Sequence, residues 1–172
     1  DVFFNKMNSN KFDRKNNESL KNLSISDLSN FNYHYHLVKE EPEVLLLEKE
    51  SYKIKIVNGK CKNFEDDNIQ IKNITSSDNK LFYKQNNNNF NDVVLGLNSI
   101  FLNTGIFFNI KKNTKLKLYL SHNTHDDFTV FQSNFFNFDS NCEVLLEDEF
   151  NFSKNTINNI KYNIHISNNS KI

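Results

Sequence analysis

The stretch Gly105-Ile106-Phe107-Phe108-Asn109-Ile110-Lys111-Lys112-Asn113-Thr114-Lys115-Leu116-Lys117-Leu118-Tyr119-Leu120 decides how this chain is read. Two runs rich in β-branched, aromatic and aliphatic residues, 105–110 and 115–121, flank the polar link Lys111 to Thr114. Such runs, bounded by polar turns, predict strands. The pattern continues toward the C-terminus, with strands expected over 128–138, 142–151 and 158–167. Their links are His122 to Asp127, Asp139-Ser140-Asn141 and Ser153-Lys154-Asn155. Strands recurring at roughly 10 to 15 residues suit either an antiparallel sandwich or a stacked coil in which each turn covers the one before. A lone rung cannot bury its apolar face, so a coil reaching Ile172 in mid-pattern is expected to present an open edge that needs a cap or partner.

On the N-terminal side, Tyr52, Ile54 and Ile56 alternate with Lys53 and Lys55, and Asn58-Gly59 supplies a tight turn before Cys61. The alternation returns at Ile69-Gln70-Ile71. Val94, Leu95, Leu97, Ile100 and Phe101 have helical spacing, with Asn91 or Asp92 as the cap. Residues 1–42 are polar, with Leu20, Leu23, Leu28 and Phe31 spaced for one short amphipathic helix, and Glu41-Pro42 is a stop.

The chain has 172 residues and a mass of 20.3 kDa, a length that favours one domain. Lys+Arg and Asp+Glu are 21 each, so no basic excess recommends a nucleic-acid partner. The apolar runs Val44 to Leu47 and Val93 to Leu97 are far short of the roughly 18 to 20 residues that span a bilayer. No leader is visible after Asp1. Cys61 and Cys142 are too few for a disulfide framework and lack Cys-x-x-Cys spacing, which fits a reducing compartment. Roughly a fifth of the chain is Asn, far from average usage. Gly is reduced to 3 residues, Pro to 1, and Ala is missing. This bias reads as a strongly AT-rich genome, such as that of a reduced endosymbiont or an organelle-bearing parasite. The tract Gln85 to Asn89 is then a solvated loop, and the sequons at Asn17, Asn22, Asn73, Asn151 and Asn168 carry no argument for secretion.

Chemistry is sparsely signalled. The 5 histidines are His34 and His36 in an alternating stretch, His122 and His125 around a polar link, and His165 in the last strand. His122 with Asp126 or Asp127 would complete a nitrogen and oxygen ligand set, although solvation or packing is the commoner role for such residues. The acidic groups Glu40-Glu41, Asp66-Asp67, Asp126-Asp127 and Glu147-Asp148-Glu149 read as surface charge, because adjacent residues on a strand face opposite ways and do not form a dyad. There is no phosphate loop, nucleophile elbow or base-assisted cysteine. The aromatic set Phe128, Phe131, Phe135, Phe136 and Phe138 is expected in the core rather than as a stacking platform. No catalytic or metal-ligating residue is nominated, and cofactor-binding residues are left unassigned.

Two segments resemble the SufB/SufD family of the SUF iron-sulfur cluster assembly system, on the SufD side. After Arg14-Lys15, the run Asn17-Glu18-Ser19-Leu20-Lys21-Asn22-Leu23-Ser24-Ile25-Ser26-Asp27-Leu28 is similar to the family's Asn-Glu-x-Trp-Lys-Tyr-Thr followed by Leu-x-x-Leu. Here Leu20, Asn22 and Leu23 stand for the Trp, Tyr and Thr. The second segment runs from Leu97-Asn98-Ser99-Ile100-Phe101 through 105–120, with Lys117 where the family has Pro. It continues past His122 and Asn134–Phe138 to Asn141-Cys142-Glu143-Val144-Leu145-Leu146-Glu147-Asp148-Glu149-Phe150. Residues 51–60 resemble the strand and turn that precede the family's coil.

The resemblance implies a mainly β fold: an N-terminal region with short helices over 1–50, then over 51–172 the first rungs of a right-handed parallel β-helix. It implies a non-enzymatic scaffold that works with a SufB-like subunit and the SufC ATPase, the SufC contact being made by a C-terminal region outside these residues. No cofactor is expected to be bound directly by this segment, an iron-sulfur cluster belonging to the assembled complex. The compartment implied is the bacterial cytoplasm or a plastid-type stroma. Two alternatives stand beside it: a surface or secreted β-coil that binds or cleaves polysaccharide, and a truncated fragment without activity.

Overall fold

A computed structural model describes residues 40–48, 50–74, 104–125, 129–154 and 156–172. These residues contain no helix and nine strands: β1 (Glu43–Glu48), β2 (Ser51–Val57), β3 (Phe64–Glu65), β4 (Ile69–Asn73), β5 (Thr104–Ile110), β6 (Lys115–Thr124), β7 (Thr129–Phe138), β8 (Glu143–Phe152) and β9 (Ile157–Ile166). The expected strands after Gly105 are all present, with bounds displaced by at most three residues. Both expected helices, around Leu20 to Phe31 and Asn91 to Leu102, lie outside the described residues. β1 falls within the segment 1–50 and pairs antiparallel with β2.

The strands form two mixed sheets, ordered β1-β2-β6-β8 and β3-β4-β5-β7-β9. Among the named strands antiparallel pairing is confined to β1 with β2, β3 with β4, and β4 with β5. Elsewhere the pairing is parallel, β2 with β6, β6 with β8, β5 with β7 and β7 with β9. From β5 onward the chain alternates between the sheets, and β7, β8 and β9 each lie beside the strand 28 residues earlier.

The core fills the space between the sheets. Tyr52, Ile54, Ile56, Leu116, Leu118, Leu120 and Val144 come from one; Ile69, Ile71, Ile106, Phe108, Ile110, Phe136 and Phe138 come from the other. Period-2 alternation places each set on one face, and the parallel register stacks Phe108 on Phe136 at 4.5 Å with rings 4° apart. The aromatic residues Phe131, Phe136 and Phe138 are buried as expected, Phe135, on the opposite face from Phe136 and Phe138, is only half-buried, and Phe128 lies outside the described residues.

The turns explain where much of the Asn goes. Asn113, Asn141 and Asn169 have φ of 62°, 62° and 60°, a left-handed conformation that Asn tolerates better than other non-glycine residues. Their amides form a ladder, Asn141 Nδ2 donating to Asn113 Oδ1 at 3.0 Å and Asn169 Nδ2 to Asn141 Oδ1 at 3.3 Å. A second ladder joins Asn109, Asn137 and His165. The sequence repeat behind these ladders is Phe108-Asn109-Ile110, Phe136-Asn137-Phe138 and Ile164-His165-Ile166, each followed by Asn113-Thr114, Asn141-Cys142 and Asn169-Ser170. At the other tight turn Asn58 and Gly59 have φ of 47° and 77°. Val57 and Lys60 there exchange hydrogen bonds of 2.9 and 3.0 Å, as a two-residue hairpin loop requires.

Candidate functional site

Parallel register lines up Ile54, Leu120 and Asp148 in one column and His122 with Phe150 in the next. Asp148 therefore occupies an inward position whose neighbours along the column are aliphatic. Glu147 and Glu149, its sequence neighbours, point the other way into solvent. Tyr162 of β9 reaches this point from the opposite sheet, where it is aligned with Asn134.

Three polar atoms converge there. Tyr162 Oη donates to Asp148 Oδ1 at 2.9 Å, and His122 Nε2 lies 3.1 Å from Oη and 3.6 Å from Oδ1. The single phenol proton is committed to Asp148, so the network assigns a proton to His122 Nε2, which donates to Oη. Its Nδ1 is buried with no hydrogen-bond partner. The imidazole is 2% exposed while the Asp148 side chain retains 21%, so the cluster is reached from the Asp148 side. Phe150 stacks on His122 at 5.0 Å and 18°, and Phe136 meets Tyr162 edge-on at 5.5 Å. Burial, then the charge of Asp148 and its hydrogen bond, push the Tyr162 phenol far above the ordinary tyrosine range, against a smaller opposing pull from the Asn134 amide. Among the described residues Asp148 forms no ion pair with lysine or arginine.

The cluster lies at one edge of the two sheets of the described residues. β8 and β9 are the last strands of their sheets, and Leu145, Phe150, Phe152, Ile164, Ile166 and Ile172 are exposed there. β1, the edge strand at the other end of its sheet, exposes Leu45, Leu46 and Leu47. A groove of about 480 Å³ opens beside the start of β6 and β8, where Lys115 and Lys171 flank Glu143 at 3.3 and 3.4 Å. Their hydrogen bonds, Lys115 first, hold the Glu143 carboxyl below its usual range.

The other sequence candidates disperse. His122 meets Asp148 and Tyr162, while Asp126 and Asp127 lie outside the described residues, as do His34 and His36. His125 sits 3.0 Å from Glu40, which is also paired with Lys55. The hydrogen bond from Lys55 is the largest influence lowering the Glu40 carboxyl. His165 bonds Asn137. Asp66 closes a local turn, accepting from Asn68 N at 2.8 Å, Ile69 N at 2.9 Å and Tyr52 Oη at 2.6 Å. Burial raises its carboxyl, but these hydrogen bonds together outweigh burial and leave it lowered. Cys61 and Cys142 are free and buried; burial pushes the Cys61 thiol up to about 12. Cys142 fills the corner position of Thr114 and Ser170, its Sγ 3.1 Å from the Lys111 carbonyl.

Sequence reasoning missed Asp148 and Tyr162 as partners of His122. The signal was the 28-residue repeat: one step beyond the inward Leu120 stands an aspartate. No protein-family model matches this chain, and no curated protein or solved structure matches it either.

Proposed function

We propose that this chain is a scaffold subunit of iron-sulfur cluster assembly, related to SufD, with no catalysis of its own. Strands β5 to β9 are read as the early rungs of a right-handed parallel β-helix; parallel crossovers are right-handed in about 98% of cases. The observation that carries the reading is the 28-residue parallel return between two sheets. It supports a stacked coil over a sandwich, and the coil is what the resemblance implies. The apolar edge at β8 and β9 is the surface that would meet further rungs or a SufB-like subunit, because unpaired strand edges with apolar side chains favour strand addition. A SufC-like ATPase would couple through residues outside these. The compartment would be a bacterial cytoplasm or a plastid-type stroma. The cluster is cargo of the complex rather than a resident group of this chain.

Co-purification tests the proposal. The full chain, tagged and expressed with SufB-like and SufC-like subunits of its own source, is expected to elute in complex with the SufB-like subunit. A monomer that ignores both subunits would overturn it.

A further inference from the structure

We infer that His122 Nε2, Asp148 Oδ1 and Tyr162 Oη form a three-donor site for a divalent first-row transition-metal ion of the zinc or copper class. The inference rests on the geometry of these side chains and is independent of the scaffold reading.

The donor atoms form a triangle with edges of 2.9, 3.1 and 3.6 Å. Bonds of ~2.0 to 2.2 Å from one ion to nitrogen and oxygen ligands give ligand-to-ligand edges of about 2.8 to 3.1 Å at right angles and about 3.3 to 3.6 Å at tetrahedral angles. The observed triangle therefore already has the dimensions of one face of a coordination shell. No group of three His, Cys, Asp or Glu side chains among the described residues is placed to hold a metal; here the third donor is a tyrosine.

Charge points the same way. Asp148 is a solvent-reached carboxylate with no lysine or arginine partner among the described residues, held by the Tyr162 phenol and the His122 imidazole. A cation would neutralise it and take the place of two protons, the one shared by Tyr162 with Asp148 and the one on His122 Nε2. The phenol loses its proton to solvent as the metal binds, while the His122 proton moves from Nε2 to Nδ1, so one proton is released in all. Nδ1 has no acceptor, whereas ligating histidines normally donate their second N–H, and loss of that partner weakens binding by ~10- to 100-fold. The site is thus one that exchanges its ion, with open positions facing the exposed side of Asp148.

Copper(II) is the probe, because it binds such donors most tightly of the divalent series and a coordinated phenolate gives it a visible charge-transfer band. Addition of copper(II) to the full chain is expected to produce that band at one equivalent per chain, and zinc(II) is expected to diminish it. Tyr162→Phe should abolish the band while copper still occupies other histidines, and Asp148→Asn and His122→Gln should weaken the band-forming binding ~10-fold or more. The inference is overturned if the wild-type chain gives no such band, or if the band survives Tyr162→Phe. Should Tyr162→Phe fail to fold, Asp148→Asn decides, and unchanged band-forming affinity overturns the site.

Discussion

Replacing Gly59 by alanine should destabilise the protein through one identifiable contact. Gly59 has φ of 77°, and a Cβ built there lies 2.2 Å from Thr104 Cγ2 and 3.0 Å from Val130 Cγ1. Thr104 cannot rotate its methyl away without moving Oγ1, which donates to the Gly59 carbonyl. The turn after β2 is thereby tied to the first residue of β5, in the other sheet. Left-handed backbone costs alanine about 1 to 2 kcal/mol. Overpacking adds about 1 to 3 kcal/mol, and the stiffer unfolded chain returns about 0.4 to 1 kcal/mol. The expected net loss is about 2 to 4 kcal/mol. Thr104→Ser removes the offending methyl and keeps the hydroxyl, at a cost of about 1 kcal/mol for the lost packing. Once that methyl is gone the closest remaining contacts are Val130 Cγ1 at 3.0 Å and Thr104 Cβ at 3.2 Å, which ask only for small shifts, so the double variant should be less destabilised than the sum of the single changes by about 1 to 2 kcal/mol. Urea unfolding of the full chain measures all four corners of this cycle, with a constant slope confirming that only stability has moved. A Gly59→Ala variant within about 0.5 kcal/mol of wild type, or singles that add within that same margin, would refute the reasoning.

Asn141→Ala removes both amide contacts of the corner ladder and places a less tolerant residue at φ 62°. A loss of about 1 to 2 kcal/mol in urea unfolding is expected, and an unchanged midpoint would mean the ladder is decorative. Burial first, then the hydrogen bond to Asp66, raises the Tyr52 phenol to about 12. Its folded pKa exceeds the unfolded value of about 10, so the associated stability is complete below pH ~10 and lost as pH climbs through the folded pKa. Tyrosinate absorbance should therefore show delayed ionisation of Tyr52 in the folded chain, and denaturant unfolding should weaken on the same alkaline limb; ordinary titration of every tyrosine would contradict this. Finally, neither Cys61 nor Cys142 should react with a thiol reagent at neutral pH until urea opens the fold, since both are buried and the nucleophile is the thiolate. Rapid labelling of the native chain would count against the packing described.

The strands were legible because alternation is local. Ser51 to Val57 and Lys115 to Ser121 announce themselves by apolar residues at every second place, a pattern that needs no knowledge of the partner strand. β1 was less visible, since Val44 to Leu47 is a continuous apolar run with no alternation. The Asn bias hid the rest: a reading that assigned Asn to codon drift had no means of separating Asn113, Asn141 and Asn169, which hold left-handed corners, from Asn in the tract 85–89.

The candidate site was almost wholly illegible. His122 stood out, but its partners lie 40 residues away at Tyr162 and beyond an intervening link at Asp148. Glu147-Asp148-Glu149 reads as a surface run in any local window, and only the register with Leu120 turns Asp148 inward.

Composition and alternation by themselves determined the mainly β character of the described residues, the positions of the later strands and the tight turn at Asn58-Gly59, because each depends on a residue and its near neighbours. The tertiary structure decided which sheet each strand joins, the parallel 28-residue register, and the meeting of His122, Asp148 and Tyr162. Those depend on which strand lies alongside which, a choice made by burial of two apolar faces against each other across the whole stack and carried by no short stretch of sequence.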